Sequence, residues 1–354
     1  MRSGSSCTCG RPAGGQRESD HGWPANCALR YAPSSVAGEP SLSSVRVAHF
    51  PWVRLLLHPA HSLPAAAAPV LVGAALAYHN HVFSIVPVML GLLSSWFIHV
   101  GGLFLENYWL LTAHTSLREH PDLAEAVDQG TLSLQALRLV TAAWFILGAV
   151  SGAYLVWYAG VMAPLLGVVG VLASASYCVG PYSQTRLGIA DPVFFAMFGI
   201  VAVVGTYYIQ AAQFFVQPVG WHVVREALPW QVWVIGLPLG AIITNVMVVD
   251  DLSDIDVDKA KGWRTRPVVW GPAGARAEYV ALMVFAYVLP FWFWLGLGLG
   301  PWVLLPLLSL PLAVWTTRLV FITKPADVEP VSPKTAAVGL LYAMLLSAGL
   351  VVGR

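Results

Sequence analysis

Charged residues are scarce in this sequence. Asp, Glu, Lys and Arg together make up 10% of its 354 residues, whereas an average soluble domain carries about 25%. This deficit excludes an ordinary soluble fold with a charged surface. The 19 basic and 18 acidic residues leave a net charge of +1 and form no basic stripe, so we expect no nucleic-acid partner.

Cysteine is also rare. The four cysteines are Cys7, Cys9, Cys27 and Cys178. Cys7 and Cys9 are separated by one residue and have no matching pair of histidines, a spacing that disfavours a zinc site. Cys178 lies in an apolar segment, where we expect it to pack as a small core residue. The cysteines therefore indicate neither a disulfide framework nor a structural metal.

Apolar residues dominate what is present. They make up 57% of the chain, and the mean hydropathy is +0.68. Apolar runs of nearly 20 residues, the length typical of transmembrane helices, recur along most of the sequence. We predict an all-α polytopic membrane protein, a bundle of about nine transmembrane helices around a central cavity. The predicted helices lie near 63–79, 82–112, 135–158, 161–179, 190–213, 229–249, 274–297, 300–321 and 334–352.

The helix count depends on one long apolar stretch, 274–321. We expect it to break between Gly296 and Pro301, because glycine and proline interrupt helices. Without that break the count would be eight.

The first part of the chain differs in composition from the rest. Residues 1–45 are rich in Gly, Ser, Pro and Arg and have no apolar period, so we expect a disordered tail. They lack the apolar core of a signal peptide, and we favour a flexible leader over a targeting or partner-binding segment. Residues 46–354 form a single transmembrane domain in this interpretation.

The basic residues are distributed unevenly along the predicted topology. With the N-terminus inside, all Lys and Arg except Arg225 and Arg354 lie on the tail, in the inner connections or at helix ends beside them. This asymmetry agrees with the positive-inside rule. We therefore predict an integral protein of a bacterial inner membrane, with its N-terminus and its chemically active face in the cytoplasm. The inner connections are 113–134, 180–189, 250–273 and 322–333.

Five aspartates fall within nine residues at the inner end of one predicted helix, in the stretch 250–265, DDLSDIDVDKAKGWRT. On an uninterrupted helix, four of them would share an arc of about 100°, and Asp256 would point away. Gly262 then offers a helix C-cap. The four aspartates on the shared face are Asp250, Asp251, Asp254 and Asp258.

Four carboxylates on one face repel each other strongly at low dielectric. Hard oxygen ligands of this kind suit Mg²⁺ that bridges to phosphates, so Mg²⁺ is the predicted cofactor. Basic side chains, which a diphosphate would require, follow at once at Lys259, Lys261, Arg264 and Arg266. The alternative is a solvated loop of mixed charge, which we consider less consistent with aspartates at a period of four.

The stretch 250–271 resembles the second Asp-rich motif of the UbiA superfamily of intramembrane prenyltransferases. In that family Asn-Asp/Asn-x-x-Asp-x-x-x-Asp is followed by basic residues and Gly-x-Arg-Thr, and this chain supplies the later part at Gly262, Arg264 and Thr265. Residues 58–64, HPAHSLP, are similar to the stretch that precedes the family's first helix. The resemblance covers roughly residues 55 to 350.

Three further stretches are similar to the branch of the family that acts on 1,4-dihydroxy-2-naphthoate in menaquinone synthesis. They are 177–181, YCVGP, 187–191, LGIAD, and 205–210, GTYYIQ. The resemblance implies transfer of a prenyl group from a polyprenyl diphosphate to an aromatic acceptor in quinone-type lipid synthesis. It implies catalytic roles for Asp250, Asp254 and Asp258. A 4-hydroxybenzoate or haem-type acceptor is an alternative.

The family's first motif, Asn-Asp-x-x-Asp, is altered here. Its place is taken by residues 106–111, ENYWLL, in which Glu106 and Asn107 replace the first pair and Leu110 replaces the later Asp. The loss motivates a second hypothesis, a degenerate relative that binds lipid without turnover. A secondary transporter is disfavoured, because its ionisable groups would lie near the bilayer midplane.

The remaining expected site residues come from the same comparison. Glu106 and Asn107 would join Asp250, Asp251, Asp254 and Asp258 as metal ligands. Asn107 would share a helical face with His114 and Arg118, although an ordinary interfacial histidine is the favoured interpretation of His114. The residues expected to bind substrate are Asn107, His114, Tyr177, Arg186, Lys259, Lys261 and Arg264. For Tyr177 a place in the interfacial aromatic belt is an equal alternative.

Overall fold

A computed structural model describes residues 63–112, 121–160, 162–177, 179–214 and 227–354. The predicted tail 1–45, residues 46–62, and His114 and Arg118 lie outside these residues. The described residues contain helices and no strand, so the predicted all-α class is confirmed. Long apolar runs with few charges form helices here because a helix satisfies its own backbone hydrogen bonds within a bilayer.

The first part of the bundle contains five helices. Ser133 caps α4, because its side chain accepts a hydrogen bond from the backbone N–H of Ala136 at 3.4 Å. Helix α4 packs along α2, where the hydroxyl of Ser94 lies 2.7 Å from that of Ser151. Small residues at such contacts allow membrane helices to approach closely. The helices are α1 (Leu63–His79), α2 (Ile85–Thr112), α3 (Pro121–Asp128), α4 (Leu134–Ala159) and α5 (Met162–Ala175).

The middle of the chain supplies the most buried helix. Helix α10 has almost every residue buried from Pro238 to Val249, so it lies at the centre of the bundle. A π-helical turn, Met197–Val201, packs against it, and a Cβ on Gly199 would come 2.9 Å from the Cα of Gly240. The helices are α6 (Gln184–Leu187), α7 (Ala190–Ala196), α8 (Ala202–Ala211), α9 (Val232–Ile235) and α10 (Leu237–Ser253), with 3₁₀ turn Ala212–Phe214 after α8.

The last part of the chain folds back over α10. Helix α12 consists of a short turn from Arg266 and a long helix, separated at Gly271 by φ 73° and ψ 174°, so the long part starts within two residues of the predicted 274. It ends at Leu295, so the expected break before Pro301 is confirmed. The helices are α11 (Ile255–Lys261), α12 (Arg266–Leu295), α13 (Leu310–Ile322) and α14 (Ser332–Val352), with 3₁₀ segments Pro301–Ser309, Pro325–Asp327 and Glu329–Val331.

Seven helical segments in the described part of the chain have the length and apolar composition to cross a bilayer. Helices α1 and α5 are apolar but have only 17 and 14 residues, against about 20 for a perpendicular span. The chain is therefore an integral membrane protein, while the count of nine transmembrane helices stays a prediction.

Candidate functional site

The aspartates lie where α10 ends and α11 begins. The helix breaks at Asp254, which has φ −104° and ψ 14°, so the single uninterrupted helix assumed for the shared arc is wrong. The turn spacing nevertheless survives the break. The backbone N–H of Asp254 donates to the carbonyl of Asp250 at 3.2 Å, and that of Asp258 donates to the carbonyl of Asp254 at 2.8 Å. Three aspartates thus follow one another on successive turns.

Two of the aspartates are buried. Asp258 is 2% exposed and Asp251 is 7% exposed, whereas Asp250 and Asp254 are partly buried and Asp256 is exposed, as predicted. The hydroxyl of Thr265 donates to Oδ2 of Asp258 at 2.9 Å. Gly262, with φ 73°, caps α11 as expected and turns the chain back toward Asp258. Burial of carboxylates is costly without compensation, so this end of α10 is built for a positively charged partner.

A second acidic group adjoins the first. Asp191, at the start of α7, lies within electrostatic range of Asp251. Nε of Arg266 lies 2.9 Å from Oδ2 of Asp191 and 3.7 Å from Oε1 of Glu278. Sequence reasoning gave Asp191 no role and overlooked Glu278. An acidic residue inside an apolar helix is a functional signal, and that signal was present at Glu278.

The basic residues divide into exposed and buried sets. Lys259, Arg264 and Arg186 are exposed. Lys261 is only 9% exposed, and its Nζ lies 4.0 Å above the ring of Trp263. A cation over an indole face is attracted by the ring quadrupole. Lys261 is thus held against an aromatic ring beside the acidic cluster.

The C-terminal end of α2 reaches this segment. Leu110, at 5% exposure, packs against Trp263, with Tyr177 and Val179 beside them. The rings of Tyr177 and Trp263 meet edge-on with centroids 6.4 Å apart. The altered first motif and the residues after the second motif are therefore in contact, but through apolar and aromatic side chains.

The two polar residues of the altered motif lie one turn earlier. Asn107 is buried, and its side-chain amide donates to the carbonyl of Leu103 in its own helix at 2.8 Å. Glu106 is partly buried. Where the family's first motif has its later Asp, this chain thus has the apolar side chain of Leu110, which packs on Trp263.

The donor chemistry of this end can be compared with what Mg²⁺ requires. Among the described residues, no three His, Cys, Asp or Glu side chains are arranged to hold a metal ion, so the six predicted ligands do not form a preassembled cage. Mg²⁺ is usually bound by one or two carboxylates together with waters and substrate phosphates. The aspartate cluster fits such a site, which a diphosphate would complete. Its negative charges lie close enough to repel: Asp254 acts on Asp250, and Asp250, Asp254 and Asp258 act on Asp251.

Comparison with known proteins identifies the family. The profile of the UbiA prenyltransferase family matches residues 66–332, well over half of the chain. The chain belongs to the UbiA prenyltransferase family. The match includes α2, the Asp191 segment and the whole Asp-rich end of α10, so the resemblance seen in the sequence is confirmed.

Individual relatives are distant in sequence, but their alignments with this chain cover most of both proteins. The 1,4-dihydroxy-2-naphthoate octaprenyltransferase of Escherichia coli (strain K12) is 25% identical over 83% of this chain and 93% of its own. That of Bacillus subtilis (strain 168) is 22% identical over 82% of this chain and 90% of its own. An apo structure of a UbiA homolog from Aeropyrum pernix K1 has a TM-score of 0.58 at 16% identity, covering 81% of this chain and 97% of its own. The last comparison establishes the fold alone.

Proposed function

We propose that this protein transfers a prenyl group from a polyprenyl diphosphate to an aromatic acceptor, and that the acceptor is 1,4-dihydroxy-2-naphthoate. One observation carries the proposal: in a member of this family, buried carboxylates cluster at the end of α10 beside the C-terminal end of α2. The acceptor is inferred from the curated relatives, whose names specify that compound.

The Asp-rich end would hold the diphosphate. Asp250, Asp254 and Asp258 are the residues that would hold Mg²⁺, which would supply charge neutralisation for the departing diphosphate. The exposed side chains of Lys259, Arg264 and Arg186 provide further positive charge for the phosphate oxygens. Tyr177 and Trp263 present aromatic rings at the same end, where they would stabilise positive charge that develops on the allylic carbon.

With the proposed naphthoate acceptor, the reaction forms one carbon–carbon bond and breaks two bonds, the carbon–oxygen bond to the diphosphate and the carbon–carbon bond between the ring and its carboxylate. The bond between C1 of the prenyl chain and the diphosphate breaks, and its electron pair leaves with the diphosphate. An electron-rich ring carbon of the acceptor then bonds to C1. With a naphthoate, the carboxylate is lost as carbon dioxide, and its bonding electrons restore the aromatic ring. The chain's part is to hold the two substrates in contact.

The proposed membrane orientation follows from the basic residues. In the favoured topology the Asp-rich end and the connections rich in Lys and Arg share the cytoplasmic side of a bacterial inner membrane. The prenyl tail would extend from that end among the helices toward the lipid.

A second function is favoured by one feature, the apolar contact between Leu110 and Trp263 where the family motif has an aspartate. A chain that has lost this carboxylate could bind a prenyl diphosphate without transferring it. The two functions differ in whether product forms.

Product analysis separates them. Purified protein with Mg²⁺ and a polyprenyl diphosphate is given 1,4-dihydroxy-2-naphthoate, 4-hydroxybenzoate or a haem, and products are identified by mass spectrometry. We expect the prenylated, decarboxylated naphthoate. A product only with another acceptor would overturn the acceptor assignment, and no product with any acceptor, while a known relative works in parallel, would favour the binding function.

A further inference from the structure

Three contacts join the segment that follows the Asp-rich end to residues 185–191, which lead into the first turn of α7. The backbone N–H of Arg264 donates to the carbonyl of Thr185 at 2.9 Å. A Cβ at Gly188, which has φ 72°, would lie 3.1 Å from the carbonyl oxygen of Arg264, so only glycine suits this approach. Nε of Arg266 then lies 2.9 Å from Asp191. Residues 264–266 are therefore fixed at both ends against residues 185–191.

The fixed segment, residues 264–266, also carries the hydroxyl that hydrogen-bonds the Asp258 carboxylate. Thr265, between the two anchored arginines, donates its hydroxyl to Oδ2 of Asp258. The placement of that hydroxyl depends on where the backbone of residues 264–266 runs. A rotation or shift of this backbone would remove the hydrogen bond from a carboxylate that is 2% exposed.

The charges around Arg266 show that the ion pair is more than a surface contact. The side chain of Asp191 is 7% exposed, that of Glu278 16% and that of Arg266 23%. One guanidinium serves both carboxylates. In the described part of the chain Oδ1 of Asp191, Oε2 of Glu278 and Nε of Arg266 itself have no hydrogen-bond partner, so the contact between Arg266 and Asp191 is an ion pair by distance and not an aligned hydrogen bond. The guanidinium carbon also lies 4.5 Å above the ring of Trp270. Arg266 is therefore the positive charge that compensates buried Asp191, which lies near Asp251, and partly buried Glu278.

We propose that Arg266 is a positioning residue for the diphosphate site: paired with Asp191 and Glu278, it holds Thr265 on Asp258 and sets the orientation of that carboxylate. This inference rests on the proposed function, because it assigns Asp258 to the site that binds the metal and diphosphate. Partners that orient a metal-binding carboxylate typically change metal affinity by about 10- to 100-fold when they are removed.

The test measures binding as well as turnover. Mn²⁺ affinity is determined by electron paramagnetic resonance on the full-length protein, with geranyl diphosphate present and no acceptor. We expect Arg266→Gln and Asp191→Asn each to weaken Mn²⁺ binding by about 10-fold. Because the two residues act as one unit, the double variant should be no more than about 3-fold weaker than the worse single variant. Arg266→Lys, which keeps the charge, should recover most of the affinity.

A matched control is available on the same helix. Arg276 donates to the carbonyls of Val320 and Thr323 at 3.0 and 2.9 Å and, within the described residues, pairs with no carboxylate. Arg276→Gln therefore removes a comparable arginine that serves backbone carbonyls. It should leave Mn²⁺ affinity unchanged. In steady-state assays, Arg266→Gln should raise KM for the diphosphate more than it lowers kcat, a split that general destabilisation would not produce.

The outcomes separate this inference from the proposed function. Wild-type Mn²⁺ affinity in both Arg266→Gln and Asp191→Asn, or effects that multiply in the double variant, would overturn the positioning role. If Asp258→Asn abolishes Mn²⁺ binding in the same experiment, the proposed function survives that result. If Asp258→Asn binds Mn²⁺ as the wild type does, the metal site itself is wrong. Should Arg266→Gln fail to fold, the comparison of Asp191→Asn with Arg276→Gln decides the question.

Discussion

At the scale of single residues, Asp258 has the smallest exposed fraction, 2%, of the aspartates whose side chains the structure describes. It is buried and receives the Thr265 hydroxyl, and the backbone N–H of Trp263 donates to its carbonyl at 2.9 Å. A carboxylate in such a position has few orientations available. That constraint is useful for binding, because a ligand that is already oriented loses little entropy when the substrate arrives.

Thr265 gives a direct test of this constraint. Thr265→Val keeps the side-chain shape but leaves Asp258 without one donor, and a hydrogen bond to a charged group contributes about 1.5–3 kcal/mol. We expect kcat/KM for the prenyl diphosphate to fall by about 10- to 100-fold, since 1.4 kcal/mol corresponds to about a factor of 10. Steady-state kinetics at saturating acceptor measure the change.

The control for Thr265 is Thr141, a buried threonine of α4 whose hydroxyl donates to the carbonyl of Leu137 in its own helix at 2.8 Å. Thr141→Val should change kcat/KM by less than about 2-fold, because it alters no charged group. Equal losses in the two variants would show that the hydroxyl on Asp258 has no special role.

The sequence allows prediction of much of this site, residue by residue. The Asp-rich cluster was evident from the spacing of its aspartates, the family came from the resemblance of the stretch 250–271 to its second motif, and Asp256 is exposed as expected. The network of Arg266, Asp191 and Glu278 was not evident, because its members are 75 and 12 residues from Arg266 along the chain and only folding brings them together. The burial of Lys261 on Trp263 depends equally on tertiary contact.

At the scale of helices, α10 is central because its neighbours approach it closely. The π-helical turn Met197–Val201 lies against it at Gly199 and Gly240. Such turns shift the register of a helix by one residue and frequently accompany functional sites. Here the turn follows α7, whose first turn contains Asp191, so the packing at Gly240 helps to fix where that carboxylate lies.

Gly199 therefore should not tolerate a side chain. In Gly199→Ala the new Cβ would meet backbone atoms of Gly240 at 2.9 and 3.2 Å, which cannot move as a flexible side chain can. We expect a loss of about 1–3 kcal/mol, the usual cost of overpacking, seen as a lower thermal unfolding midpoint in detergent. Gly167→Ala is the control, because a Cβ on Gly167 of α5 meets nothing within 4 Å. A midpoint for Gly199→Ala at or above that of Gly167→Ala would contradict the packing described.

The helices themselves were largely predictable, and the errors have physical causes. Each predicted apolar segment coincides with helical structure, because hydropathy is a strong signal in lipid. The long apolar helix predicted from 274 starts directly after the break at Gly271, within two residues of the prediction. What the sequence did not indicate is the short helical turn 266–270 before that break, because Arg266 and Pro267 look like a loop. Proline is in fact favoured in the first turn of a helix. The break at Asp254 could not be predicted, because no glycine or proline lies at that position.

At the scale of the whole molecule, the two ends of the described helices carry different charged groups. The Asp-rich cluster and the basic residues that follow it lie at one end. At the other end, Arg354 lies over the ring of Tyr78 at 4.4 Å and contacts His81, so the last residues of α1 and α14 share a side. The arrangement agrees with α1 and α14 running in the same direction across the membrane.

Cysteine accessibility tests the orientation. In a background with the four native cysteines replaced by serine, we place cysteine at Gln129 or at Trp230, both exposed and predicted to lie on opposite sides. A membrane-impermeant maleimide on intact bacterial cells should label Trp230→Cys and should reach Gln129→Cys only after the inner membrane is permeabilised. The reverse pattern would place the Asp-rich end outside the cytoplasm.

The most direct test of the proposed reaction compares two aspartates two residues apart. The initial rate of Mg²⁺-dependent prenylation is measured for the wild type, for buried Asp258→Asn and for exposed Asp256→Asn. We expect Asp258→Asn to lower the rate by about 100-fold, since loss of a metal-binding carboxylate removes several kcal/mol of charge stabilisation. Asp256→Asn should retain a rate within about 2-fold of the wild type, as exposed substitutions usually do. Equal rates for the two variants would contradict a diphosphate site at the buried end of α10 and α11.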